Sequence, residues 1–260
     1  MNDLDNLLGR EKKIEKQVNK YLTPIEESVK QKLYSIANKI EPQIITIELV
    51  KKAILDYKQE KQIYQEVTIH NCTELALSYK RILKIANLSN LVNLVKLKLD
   101  NNLIMKIENL DALHNIKWLD LSFNYIKKIE GLSRLTKLTD LSLFKNEIEE
   151  VENLDECRDL NVLSLGMNKI RNINQVIDYL KKFSKLQALT VNKNPFCEKD
   201  EVDFSEKNNQ NKVIEGDIRF PSSYHPILAN LENLKYLDYR PIDNEYVYFT
   251  NIAKRSIHIL

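Results

Sequence analysis

The chain has 260 residues, of which 43% are hydrophobic and 29% are charged, and its formal net charge is +2. This composition allows a long buried core, whereas a charge so near zero gives no strong electrostatic attraction to nucleic acid or to a membrane surface. The sequence contains no apolar run long enough for a bilayer, and its acidic start, Met1 to Asp5, is unlike a secretory signal. We therefore expect a soluble, intracellular protein with neither nucleic acid nor membrane as a partner.

The first predicted element is an amphipathic helical extension over residues 1–42. Its apolar residues recur mostly at three- and four-residue steps, as one face of a helix requires. A second helix is predicted to begin after Thr23, where Pro24 and Glu26 complete a capping box. Two interpretations remain open: helices folded onto the end of the following domain, or an arm that binds a partner through a coiled coil.

Residues 43–70 are predicted to form a helical cap. Pro42 ends the preceding pattern, because a residue before proline is displaced from the helical region. Thr46 is a suitable N-cap, and the apolar residues of Ile47–Tyr57 share one face of the helix that follows. The open end of a repeat array needs a cover, and this helix immediately precedes the repeats.

Residues 71–197 follow a pattern of 22 residues that reads L-x-x-L-x-x-L-x-L-x-x-N-x-I-x-x-I. Its L-x-L segment alternates with period two, so it predicts a short strand whose leucines point inward. One repeat cannot bury its leucine face alone, whereas stacked repeats can. Fixed periods of this length indicate a leucine-rich repeat solenoid. We predict an α/β solenoid of about six repeats, with a parallel concave sheet, an N-terminal helical cap and a C-terminal repeat cap. An enlarged repeat carries a predicted convex-side helix at Gln175–Phe183.

The repeated asparagines are predicted to be structural. An Asn side chain has donors and an acceptor, so at a buried turn it satisfies backbone groups that would otherwise cost about 1–3 kcal/mol each. The first repeat is degenerate, because Lys80 occupies the asparagine position. The predicted structural residues are Asn102, Asn124, Asn146, Asn168 and Asn194.

The regular pattern ends at Asn194–Cys197. Residues 198–217 are rich in Glu, Lys, Asn and Asp, and predict a disordered acidic and polar loop. Leu231, Leu234 and Leu237 restore the repeat spacing, so residues 218–242 are predicted to form the C-terminal cap. Residues 243–260 then make a short tail.

The outward residues of the predicted strands line a concave face, which we interpret as a partner-binding surface. Trp118 and Phe144 are candidate anchors because large aromatic residues dominate interface hot spots. The alternative is that they pack on each other or on neighbouring aliphatic stems. The candidate residues are Lys96, Lys98, Asp100, Trp118, Asp120, Ser122, Asp140, Ser142, Phe144, Val162 and Ser164, with Phe123, Tyr125, Lys145 and Met167 at one rim.

The lysines of residues 51–62, with Lys127 and Lys128, are candidates for contact with an acidic surface such as tubulin. The alternative is an ordinary solvated face.

No catalytic or cofactor site is predicted. The four histidines lack metal-ligand spacing, and the four glycines form no phosphate-binding loop. Asp120 and Asp140 are predicted on adjacent strands, but no nucleophile or general acid accompanies them. Three widely spaced cysteines suit a reducing compartment, with Cys157 in a buried leucine position and Cys197 packed in the cap. The sequence therefore predicts a non-enzymatic protein without cofactor or metal.

Several segments resemble known families. The repeats have 22 residues and contain segments such as Ile107–Leu110, which reads I-E-N-L. In these two features they resemble the repeats of phosphatase regulatory subunits and axonemal dynein light chains. The segments Glu41–Ala53, Trp118–Asn124, Asn194–Glu198 and Tyr236–Arg240 are similar to the leucine-rich repeat subunit, subunit three, of the nexin–dynein regulatory complex of cilia.

This resemblance implies a scaffold subunit of the ciliary axoneme, in the cytoplasm and cytoskeleton, that helps to link doublet microtubules and to regulate dynein-driven motility. It implies partners among the other subunits of that complex, including coiled-coil linker subunits and dynein. The alternative is a regulatory subunit that binds a dynein motor heavy chain or a protein phosphatase through the concave repeat face.

Overall fold

A computed structural model describes residues 43–63, 66–197 and 222–242 of the chain. The predictions made for residues 1–42, 198–217 and 243–260 lie outside the described residues.

Each repeat contributes one short strand to a parallel sheet, so the predicted leucine-rich repeat solenoid is confirmed. The strands pair in register, with Leu119 facing Leu97 on one side and Leu141 on the other. These central leucines are buried, whereas the strand residues on either side of them are partly exposed. The parallel strands are β2 (Glu74–Ala76), β4 (Lys96–Lys98), β5 (Trp118–Asp120), β6 (Asp140–Ser142), β7 (Val162–Ser164), β8 (Ala188–Thr190) and β9 (Tyr236–Leu237).

The buried asparagines join consecutive repeats through hydrogen bonds. The Oδ1 atom of Asn124 accepts from the backbone N–H of Ile104 at 3.0 Å, and its Nδ2 atom donates to the carbonyls of Leu99 and Leu121 at 2.9 and 3.0 Å. Asn102, Asn146, Asn168 and Asn194 repeat this arrangement. Each asparagine therefore contacts the backbone of its own repeat and of the preceding one.

The residue before each buried asparagine has left-handed backbone geometry, with φ of 54–55° at Asn101, Phe123, Lys145, Met167 and Lys193. Side chains other than glycine rarely adopt this geometry, which costs about 1 kcal/mol or more. The adjoining asparagine bonds hold the turn in place, so the side chain at this position can vary.

A second amide column lies elsewhere in the coil and was not predicted. Asn87, Asn109 and Asn153 donate to the carbonyls of residues 45, 85 and 129 at 2.7–2.8 Å. Gly131 occupies the missing position of this 22-residue series, with φ of 68°. A Cβ atom there would lie 2.4 Å from the carbonyl oxygen of Ile107, so the close approach requires glycine.

The segment before the repeats forms β1 (Gln43–Ile44) and α1 (Ile47–Glu60). Thr46 accepts from the backbone N–H of Leu49 at 3.1 Å, as an N-cap does. The predicted helical cap therefore contains a strand as well, because β1 pairs in parallel with β3 (Ile82–Lys84).

The enlarged repeat contains α2 (Ile173–Leu180), where a helix was predicted at Gln175–Phe183. The helix begins two residues earlier and ends three residues earlier than predicted. Asn172 caps the helix by accepting from the N–H of Gln175 at 3.2 Å. The Tyr179 hydroxyl accepts from the N–H of Leu154 at 2.7 Å and donates to Asp155 at 2.9 Å. These bonds fix the helix to the preceding repeat.

The array ends in α3 (His225–Asn230) and in the antiparallel pair of β9 with β10 (Arg240–Pro241). Sequence reasoning missed α3. The Oδ1 atom of Asp238 accepts from the N–H groups of Val191 and Asn192 at 2.7 and 3.1 Å. In the preceding repeat, the N–H of Leu165 bonds to a backbone carbonyl of the next strand instead. The Asp238 side chain thus replaces a carbonyl that a further repeat would supply.

We expect Asn124→Ala to lower the free energy of unfolding by about 2–4 kcal/mol, because it leaves several buried backbone groups without partners. Asn115→Ala is the matched control, since its amide donates to the carbonyl of Val92 at an exposed edge, and should cost about 0.5–1 kcal/mol. Urea unfolding followed by circular dichroism measures both. Equal losses would contradict the structural role of Asn124.

Burial, reinforced by the nearby Glu156 and Asp155, raises the pKa of Cys157 from 9.0 to about 11. In the unfolded chain the thiol ionises near its ordinary pKa, so between pH 9 and pH 11 the unfolded state binds fewer protons than the folded state. Folding stability should therefore fall by about 1 kcal/mol per pH unit in this window, relative to Cys157→Ala. Urea titrations at each pH measure the free energy of unfolding of both proteins. If it changes with pH by the same amount in both, the coupling to Cys157 is refuted.

Candidate protein-binding surface

The concave face consists of rows of side chains that run across the strands. In one row, Trp118 faces Lys96 and Asp140, and the row continues to Val162 and Ala188. In the second row, Asp120 faces Lys98 and Ser142. The third row, two residues after the second, contains Asp100, Ser122, Phe144 and Gly166.

All candidate residues of the first two rows are partly exposed, as outward positions of the strands should be. Ser122 differs because only 7% of it is exposed. Its hydroxyl and its N–H both donate to the Asp120 carboxylate, at 2.6 and 3.0 Å. Ser122 is therefore part of the floor and offers little surface to a partner.

Trp118 is held by the two lysines of the preceding strand. The Nζ atoms of Lys96 and Lys98 lie 4.7 and 5.7 Å from its ring centroid, within cation–π range. The indole therefore lies against the two ammonium groups while remaining partly exposed.

Phe144 packs at the rim. Its ring centroid lies 5.7 Å from that of Phe123, whose other contact is the Lys145 ammonium group at 5.2 Å. Its edge lies over Gly166, where a Cβ atom would approach Phe144 to 2.7 Å. The absence of a side chain at Gly166 thus makes room for the phenyl ring. Phe123 is 40% exposed and extends the aromatic surface outward.

The acidic residues of the concave face are neighbours on adjacent strands and accept hydrogen bonds from neutral donors. Asp120 faces Ser142 and Asp140 faces Trp118, so the two aspartates are diagonal neighbours with Cα atoms about 8 Å apart. Asp140 accepts from the hydroxyl of Thr139 at 2.6 Å. Asp100 accepts from Ser78 and Asn101 at 2.5 and 2.8 Å.

The chemistry of the face changes along the array. β4 to β6 present lysines, the tryptophan and aspartates, whereas β7 and β8 present only small or β-branched residues in the first two rows. Among these, the hydroxyl oxygen of Ser164 is buried and has no hydrogen-bond partner within the described residues.

The other predicted surfaces lie outside these strands. Lys127 and Lys128 are exposed, and Lys128 pairs with Glu152 at 3.4 Å. The lysines of residues 51–62 belong to α1 and the turn after it. The rim residues Phe123, Lys145 and Met167 occupy the left-handed positions. Tyr125 is half-buried, and its N–H donates to the carbonyl of Ile104.

Within the described ranges, no cluster of histidine, cysteine, aspartate and glutamate could hold a metal ion. None of the helices in these ranges has the length and apolarity needed to span a membrane.

The fold and the concave face define a leucine-rich repeat protein, a class suited to protein–protein interaction. A family model described as leucine-rich repeats, in two copies, matches residues 114–156. A comparison with curated protein sequences gives no match.

Several solved structures are similar to this chain. Internalin C2 from Listeria monocytogenes is 25% identical, with a TM-score of 0.51 over 72% of this chain and 71% of that chain. An internalin, inlF, from the same organism is 20% identical, with a TM-score of 0.44 over 72% and 54% of the two chains. The Drosophila melanogaster SNF/U2A' complex contains a chain that is 19% identical, with a TM-score of 0.48 over 84% and 99%.

Removal of the lysines beside Trp118 should loosen the tryptophan. We expect Lys96→Ala to lower the free energy of unfolding by about 0.5–1 kcal/mol and to raise acrylamide quenching of the indole. The chain has a single tryptophan, so its fluorescence reports on this site alone. Lys127→Ala, at an exposed site off the sheet, is the control. Identical quenching of both variants would disprove the packing role of Lys96.

Proposed function

We propose that the protein is a non-enzymatic scaffold subunit of the nexin–dynein regulatory complex in the ciliary axoneme, where it helps to link doublet microtubules and to regulate dynein-driven motility. The observation that carries the scaffold role is the concave face, an ordered row of partly exposed side chains with two aromatic residues, Trp118 and Phe144. Its partners in this proposal are other protein subunits of the complex, including coiled-coil linker subunits and dynein. The exposed lysines off the sheet are candidates for tubulin contact.

The concave face is suited to binding because its aromatic residues are already positioned. The lysines of β4 hold Trp118, and Phe123 together with Gly166 holds Phe144. A partner therefore spends little conformational entropy on ordering these side chains, which favours affinity. Truncation of an aromatic hot spot typically costs about 2 kcal/mol or more, which corresponds to roughly a 30-fold loss of affinity.

The axonemal assignment is supported by resemblance outside the repeat consensus. The similar segments include Thr46 with α1, the 3-10 helix Pro195–Cys197 and the β9–β10 pair that contains Asp238. These segments close the two ends of the array, and the repeat consensus does not require their sequences. Similarity at these positions therefore carries more information than the repeated leucines do.

The proposal predicts that the tagged full-length protein, expressed in cells with motile cilia, stays with detergent-extracted axonemes alongside linker subunits. Trp118→Ala combined with Phe144→Ala should lose a specific neighbour from this fraction. Leu55→Ala combined with Val92→Ala is the matched control, because both residues are exposed apolar side chains off the concave sheet. Quantitative mass spectrometry of the extracts measures each neighbour.

Two results would overturn the proposal. If the wild-type protein enters the soluble fraction with a phosphatase or a free dynein heavy chain, the regulatory-subunit function replaces the linker function. If the aromatic variant and the control variant retain the same neighbours, while thermal unfolding shows both to be folded, the concave face is not the binding surface.

A further inference from the structure

We infer that the concave face binds an α-helix of a partner protein, with a basic residue of that helix on Asp120 and Asp140 beside Trp118, and an apolar residue about two turns away over β7 and β8. This inference rests on the concave face as the binding surface in the proposed function. It does not depend on the axonemal assignment.

The first argument is a pair of carboxylates without an ion pair. Lys98 faces Asp120 from the preceding strand, but its ammonium group lies over the Trp118 ring. Within the described residues, neither Asp120 nor Asp140 forms a salt bridge, although both are partly buried on the floor of the face. Their intramolecular bonds come from neutral donors: Ser122 to Asp120, and Thr139 to Asp140. Partly buried carboxylates are strongly stabilised by a cation, so a partner that covers them should supply one.

The second argument is the position of the nearest cations of the chain. The ammonium groups of Lys96 and Lys98 lie over the Trp118 ring, on the strand that precedes it, whereas Asp140 is on the strand that follows it. A guanidinium group from a partner can therefore approach from the Asp140 side. There it meets both a carboxylate, which it binds in a bidentate manner, and an indole, on which it stacks.

The third argument is the low floor beyond the aspartates. Val162, Ser164, Ala188 and Thr190 have short side chains, so the floor of β7 and β8 leaves room for a bulky apolar side chain. The face is thus anionic at one position and shallow at the next, where Val162 and Ala188 are apolar.

The spacing of these two regions suits a helix. Strands lie about 4.8 Å apart, so the midpoint of β5 and β6 is about 10 Å from the midpoint of β7 and β8. A helix rises about 1.5 Å per residue, so the basic and apolar residues should be about seven positions apart, on one face. The first and third rows are about 13 Å apart, which accommodates one helix diameter.

An added β-strand is the wrong occupant for this face. β4 to β8 each pair with a strand on both sides, so their backbone groups are already bonded. Strand addition requires an unpaired edge. The face offers side chains only, which is the arrangement into which the side chains of a helix fit.

The test is selection of a displayed helical peptide library, built on an alanine-rich framework and randomised on one face. The full-length wild-type protein is one bait, and Asp120→Lys with Asp140→Lys is the second. Glu149→Lys with Glu150→Lys is the matched control, because it makes the same charge change at exposed sites off the strands. Asp120→Asn with Asp140→Asn keeps hydrogen-bond acceptors and covers the case in which the lysine variant misfolds.

We expect wild-type and control baits to enrich arginine or lysine, followed by a large apolar residue about seven positions later. The lysine variant should enrich aspartate or glutamate at the basic position, and the asparagine variant should lose the preference. Binding of the selected peptide should weaken at least tenfold on the asparagine variant, measured by fluorescence anisotropy.

Equal enrichment on all baits, or acidic residues on the wild type, would overturn the inference. A wild-type bait that retains no helical peptide would do the same. These results are distinguishable from failure of the proposed function. The axonemal experiment measures which natural partners are lost when Trp118 and Phe144 are replaced, and it does not depend on the charge of the partner. Loss of a neighbour there, with no basic preference here, would mean that the face binds a partner of different chemistry.

Discussion

The structure depends on hydrogen bonds between buried asparagine side chains and the backbone of two consecutive repeats. A stack of short strands leaves backbone N–H and C=O groups at every turn, and such groups are costly when buried without partners. An amide carries both donors and an acceptor, so one side chain satisfies both kinds of group. Asn124, for example, bonds to residues on both sides of a repeat boundary. The bonds fix how each repeat meets the preceding one, whereas the repeat length can vary: Asn194 lies 26 residues after Asn168 and makes the same bonds.

The fixed turns also determine how the concave face is displayed. Each strand contains only three residues, and its central leucine is committed to the core. The flanking residues of these strands are partly exposed and do not belong to the core, so lysine, tryptophan, aspartate and serine can occupy these positions without disturbing the stack. The outward residues are therefore the part of the sequence that is free to specialise. The change from charged residues on β4 to small ones on β7 shows how widely they vary.

Much of the fold was predictable because its signals are local or periodic. The repeated leucines gave the strands, and Thr46 marked the start of a helix. α3 was missed because its six residues are too few for a periodic signal. The other features that escaped prediction depend on residues distant in sequence: β1 pairs with a strand about 40 residues away, and the amide of Asn87 bonds to the carbonyl of Ile45. Likewise, the outward position of Phe144 was readable from alternation, but its packing over Gly166 was not. Such contacts exist only once the coil has closed.

The C-terminal end of the sheet has a further consequence for the behaviour of the protein at high concentration. A parallel sheet that simply stopped at its last repeat would present open N–H groups, which template the addition of strands from other molecules. Here the sheet ends in β10, an antiparallel strand of only two residues, and one of them, Pro241, has no backbone N–H. Such a short strand with a proline offers few donors to a strand of another molecule.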